Sequence, residues 1–367
     1  MKTLKTFVYT IFVLLLVSGC SVSLPLHDGD WIIYGGSDIY SIKNNNGTLQ
    51  VTGNIPRPRG DQKLWYYNNL KFENEESYYV KTSADLERNV WLEKIDKDTF
   101  QTTRVKHTSI DSDCALLTED YFYVVSNFMD HLEIDMYDLN LSLEKTVPFS
   151  FQENVNLFPT DLIEYDNDIY MICGVIENDF DYGYTKNYLF HLNKDFDLIQ
   201  YYDLNEQDGA FYDSVVVDDT LYLAQTKNGF NTDQGWGSLD GNEIWCFDLK
   251  EKRLLEKKIV LKNPGPCYIT FDASGRNLII EHSKNGYHNH VWTIYNVDTG
   301  KEIVFPVDVS IFADEFQQPA NFSFQGSKYY FLFSEFLFEY DINTMEYKTY
   351  KLSDYHIDDA VLILFHD

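Results

Sequence analysis

Residues 268–282, YITFDASGRNLIIEH, and residues 292–307 a little further on, WTIYNVDTGKEIVFPV, decide the fold. Each reads as a miniature hairpin. In the first, apolar and polar side chains alternate up to Phe271, the chain turns through Asp272-Ala273-Ser274-Gly275, and a second apolar run follows from Leu278 to Ile280. In the second, Asp298-Thr299-Gly300 turns the chain between WTIYN and EIVFP. Alternation at period two on both sides of an Asp/Gly turn is the mark of antiparallel strands, and two hairpins in succession make a four-stranded meander.

The same unit recurs along the chain. Outer hairpins are IYSIKNNNGTLQV (39–51), WLEKIDKDTFQTTRV (91–105), IDMYDLNLSLEKTV (134–147), LFHLNKDFDLIQYYDL (189–204), IWCFDLKEKRLLEKKIVL (244–261), WTIYNVDTGKEIVFPV and FEYDINTMEYKTYKL (338–352). Anchored on Ile42, Ile95, Tyr137, Leu192, Phe247, Tyr295 and Tyr340, they repeat at intervals of about 50 residues, the period of a propeller blade. An inner hairpin precedes each of the last six, as in CALLTEDYFYVVSN (114–127), LIEYDNDIYMICG (162–174), VVVDDTLYLAQT (215–226) and FSFQGSKYYFLFSE (322–335). The first unit has only three strands, WIIYGG, DIYSIKN and TLQVTG, whereas AVLILFHD (360–367) is an apolar strand with no partner nearby. The expected fold is therefore all-β: a seven-bladed β-propeller of four-stranded antiparallel blades, closed by a C-terminal strand in the first blade, which removes the exposed sheet edges.

In FDASGRNLIIEH and YNVDTGKEIV the sequence resembles the seven-bladed YVTN and quinoprotein-like propellers of bacteria. The resemblance implies the fold and brings no catalytic residue with it. A quinone-binding role would ask for eight blades and Trp docking motifs in most repeats, and the sequence has neither.

Composition agrees with a large core: 44% hydrophobic residues, with 28 Tyr, 26 Phe and 6 Trp among 367. The balance of 29 basic against 58 acidic residues gives a net charge of −29, which repels phosphate backbones and excludes nucleic acid as a partner. Lys2 and Lys5 precede an apolar run from Phe7 to Val17 that closes on Ser18-Gly19-Cys20. The order is that of a secretory signal, and the run is too short for a spanning helix of about 20 residues. The small pair before Cys20 resembles the lipobox of bacterial lipoproteins. Residues 1–19 are accordingly expected to be a lipoprotein signal peptide, 20–27 a lipidated cysteine and tether, and 28–367 the propeller. This places the protein in the bacterial cell envelope, held to the extracytoplasmic side of a membrane. Cys114, Cys173, Cys246 and Cys267 lie singly in apolar strand-like runs and are expected as buried free thiols.

Loop length shows where function was added. The turns between strands a and b and between c and d are short (DASG, DTG, QGS, DN) and share one face; the b–c and d–a connections share the other. Among the latter are IENDFDYGYTKN in the fourth blade, TKNGFNTDQGWGSLDGN in the fifth and HSKNGYHNH in the sixth, with the d–a segments IPRPRGDQ, QENVNLFPT and SIFADEFQQP. Binding residues concentrate in such loops on rigid scaffolds. Phe180, Tyr182, Tyr184, Phe230, Asp233, Trp236, Tyr287 and His288 are the candidate ligand-binding residues, because aromatic faces beside acids and amides suit sugars, peptides or cationic groups. His288 and His290 lack a third metal ligand at a specified spacing, and Asn231–Glu243 is acidic but does not fit the EF-hand register. No cofactor is expected; a divalent cation such as calcium is the one ion these acids would suit. Asp218-Asp219 and Asp358-Asp359 read as solvated turn acids. No GxSxG, HExxH, GxxxxGK[ST] or GxGxxG occurs.

The sequence thus points to a membrane-anchored extracytoplasmic binding or scaffold propeller whose ligand is a carbohydrate, peptide or protein. Its rival is a metal-assisted, lactonase- or lyase-like propeller enzyme with His and carboxylates converging at the channel mouth. Mass spectrometry of the membrane fraction should find a mature chain that starts at Cys20 and carries acyl mass, since two or more acyl chains anchor durably. Retention of a Cys20→Ala protein on the membrane would refute lipidation.

Overall fold

A computed structural model describes residues 29–365, except 46, 58–63, 65, 84, 86–87, 108–113, 129–130, 153–154, 178–185, 205–208, 229–240, 273, 285–286 and 307–318. Seven antiparallel sheets form the ring. Blade 1 holds β1 (Trp31–Tyr34), β2 (Asp38–Asn45) and β3 (Thr48–Pro56), and blade 2 β4 (Tyr66–Glu73), β5 (Ser77–Thr82), β6 (Val90–Asp96) and β7 (Thr102–His107). Blade 3 comprises β8 (Cys114–Leu117), β9 (Tyr121–Asn127), β10 (Leu132–Asp138) and β11 (Leu143–Phe149); blade 4 follows with β12 (Val155–Tyr165), β13 (Asp168–Glu177), β14 (Lys186–Leu192) and β15 (Leu198–Asp203). In blade 5, β16 (Gly209–Val217), β17 (Thr220–Asn228) and β18 (Glu243–Asp248) are followed by an outer strand split into β19 (Arg253–Leu254) and β20 (Ile259–Val260), both paired to β18. Blade 6 is β21 (Pro266–Phe271), β22 (Asn277–Lys284), β23 (Tyr287–Asn296) and β24 (Glu302–Pro306); blade 7 is β25 (Pro319–Gln325), β26 (Lys328–Phe333), β27 (Phe336–Asp341) and β28 (Glu346–Lys351). After a 3-10 turn at Leu352–Tyr355, β29 (Leu362–Phe365) returns to blade 1 and pairs with β1, giving the order β29-β1-β2-β3.

The central strands are largely apolar on both faces, because every blade is covered by two neighbours. In β1, Trp31 and Ile33 pack toward blade 7 against Tyr330 and Leu332, whereas Ile32 and Tyr34 pack toward blade 2 against Tyr78 and Val80. The partner strand splits the same way: Ile363 and Phe365 join the first cluster, Leu362 and Leu364 the second. One apolar cluster of this kind occupies each blade interface around the ring. Aromatic rings fill the wide outer part of the wedges, as where Trp292 meets Phe331 at 4.6 Å and Phe211 meets Trp245 at 4.8 Å. Cys114, Cys173, Cys246 and Cys267 are buried thiols outside any disulfide, the first two in the cluster between blades 3 and 4, and burial pushes the Cys246 thiol up to about 11.

The closing strand is held at both ends. Trp31 faces Phe365 and Tyr34 faces Leu362 across the ladder. Beyond it, the Gly36 amide donates to the Asp358 carbonyl at 2.7 Å and the Val361 amide to the Tyr34 carbonyl at 2.8 Å. The approach is so close that a Cβ on Gly35 would sit 2.9 Å from the Asp358 oxygen, which is why the b–c turn of blade 1 carries glycine. Asp358 and Asp359 thus sit in the closing segment with their side chains exposed, as the turn acids the sequence suggests, and Asp359 has φ +44°.

Two connections differ from the sequence reading. HSKNGYHNH is an extension of the β22–β23 hairpin, with Ser283 paired to His288 and Lys284 to Tyr287. Most of QENVNLFPT is the start of β12, which bulges between Pro159 and Asp161. In both, polar side chains hid a strand whose backbone pairs normally.

Deleting 360–367 should cost several kcal/mol in urea unfolding, from four buried large side chains at roughly 1.5 to 3 kcal/mol each, discounted for residual compactness of the unfolded chain. A truncated protein melting within about a degree of the full chain would show that the ring does not depend on β29.

Candidate functional site: the central channel

Strand a of each blade borders the axis, but the seven do not contribute equally. Phe365 alone represents β29 in the channel wall. In front of that short strand, blades 2 and 7 meet directly: the Lys71 ammonium on β4 donates to the Phe322 carbonyl at 3.1 Å and to the Ser323 hydroxyl at 3.3 Å, both on β25. Burial pulls the Lys71 amine down to about 8, with Glu73 acting in the opposite sense. The space enclosed is a cavity of about 590 Å³, with Lys71, Asp161, Ser214, Thr270, Ser323 and Gln325 among its polar walls and Phe72, Val216 and Phe324 among its apolar ones. Most lining residues come from the second half of each inner strand, which places the cavity toward the a–b turns.

The inner strands are irregular at one level. Ladder register shifts within β4, β12, β16, β21 and β25, in each case ahead of the cavity-lining residues. Such bulges bend a strand and re-aim a side chain. Counting back four places from the last residue of β4, β12, β16, β21 and β25 gives Asn69, Asp161, Asp213, Cys267 and Asn321, while in blade 3 the same count falls on Asp113, outside the described residues. Two of these show what the position does. Asp161 Oδ2 accepts from the Ser214 amide at 3.0 Å and the Ser214 hydroxyl at 2.5 Å, while its Oδ1 accepts from the Leu162 amide at 2.8 Å. Asp213 Oδ2 accepts from the Ile269 amide at 2.7 Å. Each carboxyl thus ties its own inner strand to the next blade's. Burial raises Asp161 to about 7, and burial with the adjacent Asp161 carboxyl raises Asp213 well above the usual range.

Histidines make two further ties. His107, at the end of blade 2, holds the Tyr137 and Ser126 hydroxyls of blade 3 at 3.0 Å each. His282 Nδ1 lies 2.9 Å from the Pro264 carbonyl and Nε2 2.8 Å from the Thr293 hydroxyl. The carbonyl can only accept, so Nδ1 carries the proton and Nε2 accepts from Thr293. Burial pushes both imidazoles down to about 4. Among the described residues, no three His, Cys, Asp or Glu side chains are placed to hold a metal ion.

Of the residues chosen from sequence, Phe180, Tyr182, Tyr184, Phe230, Asp233 and Trp236 lie outside the described residues, as does Cys20. Tyr287 and His288 open strand β23. The channel acids were missed. Their signal was present, as an Asp or Asn recurring at a fixed distance before most a–b turns, with Cys267 in its place in blade 6, but it is visible only once the strand ends are aligned.

No family model matches the chain, and no curated protein matches it either. Solved structures do resemble it. A putative 6-phosphogluconolactonase from Bacteroides fragilis aligns over 93% of this chain and 99% of its own at 12% identity, with a TM-score of 0.58. A second, from Bacteroides uniformis, covers 91% and 98% at 10% identity and TM-score 0.57. AztD from Citrobacter koseri covers 91% and 96% at 9% identity and TM-score 0.52. At these identities the likeness is one of fold.

Asp161→Ala should destabilise the protein by several kcal/mol in urea unfolding, since it orphans three donors at roughly 1 to 3 kcal/mol for each that stays buried. A loss below about 1 kcal/mol would mean that water in the channel replaces the carboxylate.

Proposed function

We propose that the protein is a lipid-anchored, extracytoplasmic binding or scaffold propeller of a bacterial envelope, taking a carbohydrate, peptide or protein ligand over the channel axis at the long-loop face of blades 4 to 6. The observation that carries this reading is the asymmetry of the ring. The a–b and c–d ends are closed by tight turns, many of them with side-chain-capped geometry: Asp96 Oδ1 caps Thr99, Asp272 Oδ1 accepts from Ser274 and the Asn277 amide, and Asn296 Oδ1 caps Thr299. The long connections, rich in Phe, Tyr and Trp, leave from the other end. A scaffold whose one face is trimmed to turns and whose other face carries long aromatic loops is built to present those loops. The enzymatic alternative needs converging ligands or an acid–base pair open to substrate, whereas Asp161 accepts from the Leu162 amide of its own strand and from Ser214 of the next, and Asp213 accepts from the Ile269 amide.

The anchor follows from the Cys20 motif, and the repulsion between a chain of net charge −29 and an anionic bilayer would hold the body off the surface.

A glycan and peptide array probed with protein lacking residues 1–27 tests the reading. Trp236→Ala or Tyr184→Ala should weaken the resulting complex by about 1 to 3 kcal/mol, a loss of roughly 5- to 150-fold, with little change in melting temperature. Thr270→Trp, which fills the cavity at the opposite end of the channel, should leave binding intact. Affinity that survives both loop substitutions would overturn the choice of face, and activity toward a lactone or sugar acid by the same protein would overturn the binding role.

A further inference from the structure

We propose that Asp161, Ser214 and Asp213 form a proton-holding clasp between the inner strands of blades 4, 5 and 6, so that the ring is tightest in acid and loosens at this seam as the pH rises. This goes beyond the binding role and does not depend on it.

The geometry places two carboxyl groups on adjacent inner strands, joined through one residue. Ser214 follows Asp213 in β16 and gives both its amide and its hydroxyl to Asp161 of β12. Asp213 reaches onward to the Ile269 amide of β21. All donors are neutral: three backbone amides and a hydroxyl. No cation pairs with either acid among the described residues. The surroundings add negative rather than positive charge. From blade 6, the Glu281 carboxylate of β22 bears on Asp213, and Cys267 of β21 donates its thiol to the Glu281 carbonyl at 3.4 Å. Tyr212 flanks Asp213 on β16 itself, β13 contributes Cys173 opposite Pro159, and β8 contributes the apolar Leu116 and Leu117. Lys71 and Glu73 stand in the cavity wall on blade 2, where Lys71 is engaged with β25. Two like charges this close in a buried wall cannot both ionise cheaply, so a proton stays on the pair. Burial raises both groups in the same direction.

The sign follows from linkage. In the unfolded chain both acids ionise near pH 4, whereas in the folded ring burial raises Asp161 to about 7, and burial with the adjacent Asp161 carboxyl raises Asp213 well above its usual range. The folded state therefore binds more protons above pH 4, and stability falls as the pH rises through and beyond neutrality. The neutral His107 and His282 act oppositely, costing stability as the pH drops from 6.5 toward 4. They are common to the proteins compared below.

Asp213→Asn isolates the effect of the second carboxyl, because the amide oxygen can still accept from Ile269 while nothing remains to ionise at position 213. Urea unfolding of the full chain and of this variant is measured from pH 4.5 to 9. The ratio of their unfolding constants should shift by about tenfold per pH unit while the wild type alone must retain a proton, with the variant the more stable at pH 8. Curves that run parallel, or a variant less stable by a constant amount at every pH, would overturn the clasp. If the variant does not fold, infrared spectra of the wild type decide. A protonated-carboxyl band at pH 7 that titrates away in alkali supports the proposal, and its absence at pH 7 refutes it.

Discussion

A blade of this propeller cannot stand alone, because its central strands are apolar on both faces. Tyr170 and Ile172 of β13 point to blade 5, and Ile169, Met171, Cys173 and Val175 of the same strand point to blade 3. Removing either neighbour would expose half of that surface to water. Every interface has this form, so the only arrangement that satisfies all blades at once is a closed ring, and the remaining features of the molecule serve that closure or are positioned by it.

Closure also explains where polar groups are allowed inside. At the axis, the first strand of each blade has a channel-side edge with no further strand to pair with. Small polar side chains meet that demand. Asp161 and Asp213 satisfy amides of the next strand, Lys71 satisfies a carbonyl across the seam left by the short β29, and His107 joins hydroxyl groups of the following blade. A network of this kind orders the blades in a way that apolar contacts, being non-directional, cannot.

Much of this was legible in the sequence. Period-two alternation between Asp/Gly turns identified the hairpins, the interval between Ile42, Ile95, Tyr137 and their successors set the blade count, and the orphan strand at Leu362–Phe365 revealed how the ring closes. What the pattern concealed has a common physical cause. The register shifts at Pro159/Asp161 and Phe211/Ser214 change which residue faces a neighbour without changing composition, so the inward acids read as ordinary polar positions. In blade 5, the segment LKEKRLLEKKIV, read as one outer strand, pairs in two short pieces. In blade 6, Ser283, Tyr287 and His288 had the look of a loop, yet their backbones continue the ladder, since pairing depends on amides and carbonyls that every side chain shares.

The return of β29 to blade 1 has a further meaning for how the molecule comes into being. Tyr40 donates its hydroxyl to the His356 carbonyl, 316 positions away, and Tyr78 reaches the Phe365 carbonyl across 287. Neighbouring blades can pair as soon as they emerge, but blade 1 stays without its inner strand until Leu362–Phe365 exist. During synthesis the chain is consequently an open crescent with apolar flanks at both ends, prone to meeting other crescents before it meets itself. The ring is completed only when the first and last strands find one another, so closure is a single late event rather than a gradual one.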